Sequence, residues 1–82
     1  MVRLHQHAQE RLLERRANEK EVIDTIEKGE TFNAKYGRVG FRRNFSFNST
    51  WRGKHYATKQ VEAYAVKEGD DWIVITVITK FF

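Results

Sequence analysis

The chain has 82 residues, 40 % of them apolar and 13 % aromatic, with no cysteine and a net charge of +4. That length supports one domain over residues 1–82, burying about 60–65 % of its unfolded surface, so the core rests on few side chains. Disulfide support is excluded. No apolar run reaches the ~20 residues of a membrane span. The opening MVRLHQHAQER lacks the apolar core of a signal peptide, so a cytoplasmic protein is expected.

The charge is unevenly placed. Residues 31–61 contain no Asp or Glu but hold Lys35, Arg38, Arg42, Arg43, Arg52, Lys54 and Lys59. All eleven acids lie outside that window. Phe41, Trp51 and Tyr56 interleave with the cations. A basic surface with aromatic rings suits a polyanion, because bases stack on the rings and phosphates meet the cations. A solvated basic surface is the plain alternative.

In chain order, His5 to Arg16 is rich in helix formers and free of Gly and Pro. Leu4, Ala8 and Leu12 make an apolar stripe, with His7, Arg11 and Arg15 beside it at four-residue spacing. Leu13 points away from both. A break follows at Arg16–Ala17. Asn18 with Glu21 forms a capping box, and Val22, Ile23 and Ile26 give a second helix its apolar face. Gly29 is expected to stop that helix in a left-handed conformation.

The period then shifts to strand. Thr31–Tyr36 is a short strand ending in a Gly37 turn. Val39–Phe47 alternates, with Val39, Phe41, Phe45, Phe47 and also Arg43 on one face. A bulge re-aims Arg43, or it is partly buried with a partner. Asn48 to Gly53 reads as a loop with Trp51 at its tip. Lys59–Val66 alternates again. Glu68 to Asp71 is a hairpin loop. Trp72–Thr79 is apolar on both faces, Ile73, Ile75 and Val77 against Trp72, Val74 and Ile78, as in an interior strand. The expected fold is α+β: two N-terminal helices packed on one face of a four-stranded antiparallel sheet.

Three constellations could carry chemistry. His7, Arg11 and Arg15 combine a group that exchanges protons near neutral pH with guanidiniums that grip phosphate. Such a set can cleave RNA without a metal: a base takes the 2′-hydroxyl proton, and cations stabilise the developing charge. The bland reading is a packed helical histidine with both arginines paired to Glu10, Glu14 or Glu19. Lys59, Thr76 and Lys80, with Tyr56 and Trp51, could line a phosphate-binding sheet surface; edge protection explains Lys80 equally well. His5, His7 and His55 are poor metal ligands, since helical residues two apart point in opposite directions. No cofactor motif is present.

His7-Ala8, Arg11-Leu12, Arg15, Asn18…Glu21-Val22 and Gly29 resemble the opening of the domain of unknown function 4258 family. Trp51…Gly53-Lys54, Tyr56, Lys59, Val61 and Val74-Ile75-Thr76-Val77…Lys80 continue the resemblance over nearly the whole chain. Arg16-Ala17 departs from the family's usual Gly-Ile, and His5 from its Ser or Thr cap. The family looks like a relative of RelE- and ParE-type toxin ribonucleases. That resemblance implies a RelE-like arrangement of helices and sheet, action on RNA or the ribosome, and an antitoxin protein as partner. His7 would then be the general base or acid, Arg11 and Arg43 would hold phosphate, and Lys59 would stabilise charge. Arg15, Arg42, Lys54 and Lys80 would extend the nucleic-acid face, with Trp51 and Tyr56 stacking on bases. The alternatives are a non-catalytic nucleic-acid or ribosome-binding module, and a protein-interaction module.

Overall fold

The computed structural model describes residues 1–82. The elements run β1 (Val2–Leu4), α1 (Gln6–Arg11), α2 (Glu19–Lys28), β2 (Glu30–Asn33), β3 (Val39–Trp51), β4 (Lys54–Glu68) and β5 (Asp71–Phe81). They form one sheet in the order β1-β5-β4-β3-β2. Strands take 56 % of the chain and helices 20 %. The expected four-stranded antiparallel sheet is therefore corrected to a five-stranded mixed one. The difference is β1, which pairs parallel with Trp72–Val74 of β5. Three residues are too few to show an alternation, so Val-Arg-Leu left no signal.

Two further expectations change. The first helix closes at Arg11, and residues 12–16 continue as turns to Arg16, whose φ of 59° is left-handed. The Asn48–Gly53 loop is strand instead. β3 runs on to Trp51, and a two-residue turn, Arg52 (φ 52°) and Gly53 (φ 81°), leads into β4. Phe47 and Asn48 form a bulge there, with Asn48 at φ 43°.

Both helices pack on one face of the sheet, α1 on β5 and α2 on β3 and β4. Between them lie Ala8, Val22, Ile26, Phe41, Val61, Ala63, Ala65, Val74 and Val77, the buried core. Leu4 and Leu12 flank it, as the stripe predicts, and Leu13 is 89 % exposed. Strict alternation would put Val74 and Val77 on opposite faces. A bulge at Ile75 brings both inward, because Tyr64 pairs with Thr76 and Ala65 with Val74. The bulge also lets β5 feed the core from a strand that is apolar on both sides. β5 is interior only as far as Val74, since β1 pairs no further.

The capping box of α2 forms as read. Asn18 Oδ1 accepts from Glu21 N at 2.8 Å, and Glu21 Oε1 accepts from Asn18 N at 3.1 Å. Its far end does not. Gly29 is extended (φ −80°, ψ 173°), so it is not a left-handed cap. It is small because α2 meets β3 there: a Cβ would run into the carbonyl oxygens of Thr25 and Arg42. No helix is long and apolar enough to cross a membrane.

Gly29→Ala must therefore push α2 off the sheet. It is expected to cost about 2 kcal/mol, read from the midpoint of urea unfolding. An unchanged midpoint would show that the helix end has room to move.

Candidate functional site

The sequence placed His7, Arg11 and Arg15 on one stripe. In the fold that stripe lies over β5 just where β1 stops. His7, Ala8, Arg11 and Arg15 from the helix and its following turn, with Ile75, Thr76 and Val77, line a cavity of about 170 Å³. The Ile75 bulge forms its sheet side. Local geometry fixes each wall. His5 is the N-cap of α1, its Nδ1 accepting from His7 N at 3.2 Å, so an imidazole serves where a hydroxyl was expected. Its ring stacks on His7 with centroids 5.3 Å apart. The two rings meet because His5 is extended rather than helical, which corrects the helical-geometry argument made for that pair. No three His, Cys, Asp or Glu side chains are placed to share an ion.

The turn after α1 is pinned by Thr79, whose hydroxyl donates to the Arg15 carbonyl. Arg15 Nε is buried and donates to no protein acceptor. None of the five ion pairs involves His7, Arg11 or Arg15, so Glu10, Glu14 and Glu19 leave them unpaired. An imidazole and two uncompensated guanidiniums over a bulged strand can hold a doubly or singly charged oxyanion.

Arg15 also borders a second hollow of about 130 Å³ with Glu14, Trp51, Arg52, Thr79 and Phe81. Phe81 is the hub of an aromatic cluster, its ring centroid 5.0 Å from Phe47, 5.4 Å from Trp51 and 5.6 Å from Tyr56. Cations ride on these rings: Arg16 at 5.9 Å and Arg52 at 5.2 Å from Trp51, and Lys54 at 5.5 Å from Tyr56. Trp51, Lys54 and Tyr56 thus gather at the β3–β4 tip, next to the arginine pocket. Phe81, Arg16 and Thr79 were missed by the sequence reading. Folding of β5 against β4 brings Thr79 and Phe81 beside the turn after α1.

The other candidates are placed apart. Lys59 is 7 % exposed and lines a different hollow, with Leu13, Arg16, Ala17, Asn18 and Glu21. Its Nζ donates to Arg16 O at 2.8 Å and Glu21 Oε1 at 2.9 Å. Arg43 stays on the helix-bearing face without a bulge, and its partner is a ring: the guanidinium lies 5.6 Å over Phe45. Arg42 and Lys80 face the opposite side of the sheet. Arg42 Nε donates to Glu30 Oε1 at 2.7 Å, and Lys80 Nζ lies 3.0 Å from Glu62 Oε2.

That opposite face carries no helix. Next to the two ion pairs lies the largest cavity, about 640 Å³, between Phe32, Tyr64, Thr76 and the β2–β3 loop. Tyr64 donates its hydroxyl to Glu62 Oε1 at 2.9 Å. Burial pushes the Tyr64 phenol above its usual 10.0. The Glu62 carboxylate adds to that push, and Arg42 opposes it. The folded state holds this proton more tightly than the unfolded chain does. The stability it contributes is full below pH 10 and is lost as pH rises through the folded value. Tyr64→Phe should cost about 1 kcal/mol at pH 7 through the lost hydrogen bond. Above pH 10 its unfolding midpoint should fall less steeply than that of the native chain. Parallel pH curves would contradict the coupling of Tyr64 to Glu62.

No curated protein and no solved structure matched the sequence. One family model matches residues 4–79, that of a domain of unknown function, DUF4258. The match runs from the last residue of β1 through both helices and the sheet almost to its last residues, so the chain belongs to the DUF4258 family.

Proposed function

We propose that this protein binds RNA through the His7–Arg11–Arg15 pocket and cleaves it there without a metal, the activity implied if its family is related to the RelE- and ParE-type ribonucleases. One observation carries the reading. Three cationic or protonatable side chains line one cavity, none is paired with an acid, and one guanidinium nitrogen is buried without an acceptor. A buried donor left unsatisfied is costly, so turning the Arg15 guanidinium out to meet a phosphate oxygen forfeits no hydrogen bond at Nε.

In this reading Arg11 and Arg15 hold the phosphate. His7 takes the proton of the neighbouring 2′-hydroxyl. The O2′–P bond forms and the P–O5′ bond breaks. The departing 5′ oxygen takes a proton from water, leaving a 2′,3′-cyclic phosphate and a 5′-hydroxyl. The arginines stabilise the charge that builds on the non-bridging oxygens. Trp51 and Tyr56 offer flat surfaces to the adjoining bases, with Arg52 and Lys54 along the strand's backbone. Lys59 has no part in this step, because its ammonium is committed to Glu21 and Arg16 O.

A second reading has its own support. No carboxylate hydrogen-bonds the His7 ring, which instead stacks on His5. An imidazole without an orienting partner suits phosphate binding better than proton transfer. On this reading the protein is a non-catalytic RNA-binding module using the same pocket.

The experiment uses purified protein, a labelled single-stranded RNA and EDTA. Cleavage should leave 2′,3′-cyclic phosphate ends, and His7→Ala should reduce its rate about 10²-fold or more while leaving affinity within a few-fold. Replacing Arg11 and Arg15 by Ala should weaken binding and lower the slope of log affinity against log salt by about 1 to 2. Binding that needs Arg11 and Arg15 without turnover selects the second reading. Absence of binding at low salt, or cleavage indifferent to His7, contradicts the enzyme.

A further inference from the structure

The largest cavity shares only Thr76 with the pocket just described. It opens on the helix-free face of the sheet, whereas α1 and α2 cover the other. Tyr64 lies between Ala63 and Ala65, both fully buried in the core, so alternation sends its ring the opposite way. The cavity floor joins four strands in one row: Phe32 beside Gly40, Gly40 beside Tyr64, and Tyr64 beside Thr76. Its rim is the β2–β3 loop, Ala34 to Arg38.

Its chemistry differs from top to bottom. The floor presents two aromatic rings at 87° to each other with centroids 5.9 Å apart. Phe32 lies flat against the backbone because Gly40 lacks a side chain; a Cβ there would occupy the space of the ring. The Tyr64 hydroxyl is turned away to Glu62, so the ring itself is what faces the cavity. The rim carries Lys35 and Arg38. Neither belongs to any ion pair, and no carboxylate lines the cavity. Asn33 and Thr76 add donors and acceptors.

Tyr36 marks the rim further. It is 88 % exposed and holds φ 62°, a conformation that glycine takes freely and tyrosine does not. Strain of this kind tends to persist at ligand clamps. Gly37 follows at φ 69°, with nothing near a would-be Cβ, and Tyr36 itself lines the opening.

We infer that this cavity is a binding site for a flat ring bearing a phosphate, of the nucleoside monophosphate class: the ring sits in the corner made by Phe32 and Tyr64, stacked on one and edge-on to the other, and the phosphate meets Lys35 and Arg38. A volume of about 640 Å³ suits a molecule of that size. Rings stack well on aromatic floors, and paired cations without a competing acid favour the dianion. The same chemistry could arrive as a free nucleotide or as the 5′-phosphorylated end of an RNA. The inference does not depend on the His7 pocket, which lies on the other face.

The test is a titration of isotope-labelled protein, followed by amide shifts, with adenosine 5′-monophosphate, adenosine and inorganic phosphate in separate arms. The monophosphate should bind at least tenfold more tightly than either fragment and move the amides of Phe32, Asn33 and Tyr64. Lys35→Ala with Arg38→Ala should weaken it tenfold or more, and Arg11→Ala should leave it unchanged. Tyr36→Gly, which keeps the loop's backbone unstrained, should weaken it a few-fold and guards against a folding defect in the double variant. A fourth arm compares a trinucleotide with and without its 5′ phosphate. Tighter binding of the phosphorylated trinucleotide than of the monophosphate assigns the site to an RNA end, and the reverse assigns it to a free nucleotide. Equal binding of phosphate and monophosphate, or loss on Arg11→Ala alone, overturns the site.

Discussion

One buried ammonium holds the two layers of this fold in register. Lys59 of β4 reaches the joint between the helices and donates there to Arg16 O and to the Glu21 carboxylate, whose Oε2 lies 2.8 Å away. Arg16 ends the turn after α1, and Glu21 is the third residue of α2, already engaged in its capping box. An unpaired charge at that depth would cost several kcal/mol, so the joint has little choice of position. Arg16 itself sits at a left-handed φ, a conformation costing about 1 kcal/mol for a residue with a side chain. The carbonyl it turns toward Lys59 is one return on that strain. Another is its guanidinium, held near Trp51 and Phe47.

The arginine pocket follows from this anchoring. With the joint fixed over β4, α1 lies across β5, and Thr79 secures the turn from the other side through Arg15 O. His7, Arg11 and Arg15 then overhang the stretch of β5 that β1 leaves unpaired. The acid-free window is less of a single cationic surface than its composition suggests. Acids from outside it reach back: Glu30 to Arg42 and Glu21 to Lys59. The cations left over are divided between the β3–β4 tip and the β2–β3 loop, with Arg43 over its phenylalanine. The two ends of the sheet therefore present separate positive features, one beside an aromatic cluster and one above an aromatic floor.

What the sequence made legible is what local physics determines. The capping box of α2 is a four-residue pattern and forms as written. The β3 and β4 alternations and the apolar β5 likewise gave the sheet. The three-residue β1 was too short to announce itself, yet it makes the sheet mixed. The Ile75 and Phe47–Asn48 bulges depend on what lies across the ladder, so no one-strand pattern shows them. Gly29 was read for its freedom of φ and is needed for its lack of a Cβ. In the site, four-residue spacing on α1 places His7 and Arg11 on one side because that geometry is local, whereas Arg15 joins them from the turn that follows the helix. Lys59 was expected to join them. Its partner is set by a contact 38 residues away in sequence, and it serves as an anchor between layers. The β2–β3 cavity left no trace beyond Lys35 and Arg38, since its floor is assembled from four strands.

The central claim is that Lys59 and Glu21 act as one unit holding the helices on the sheet. A double-mutant cycle with Glu21→Gln and Lys59→Met, followed by urea unfolding, measures it directly. Each single change should destabilise strongly, and the pair together by much less than their sum, with a coupling of about 2 kcal/mol or more. Effects that add to within about 0.5 kcal/mol would show that the two groups stabilise the fold independently, and the anchor would have to be sought elsewhere.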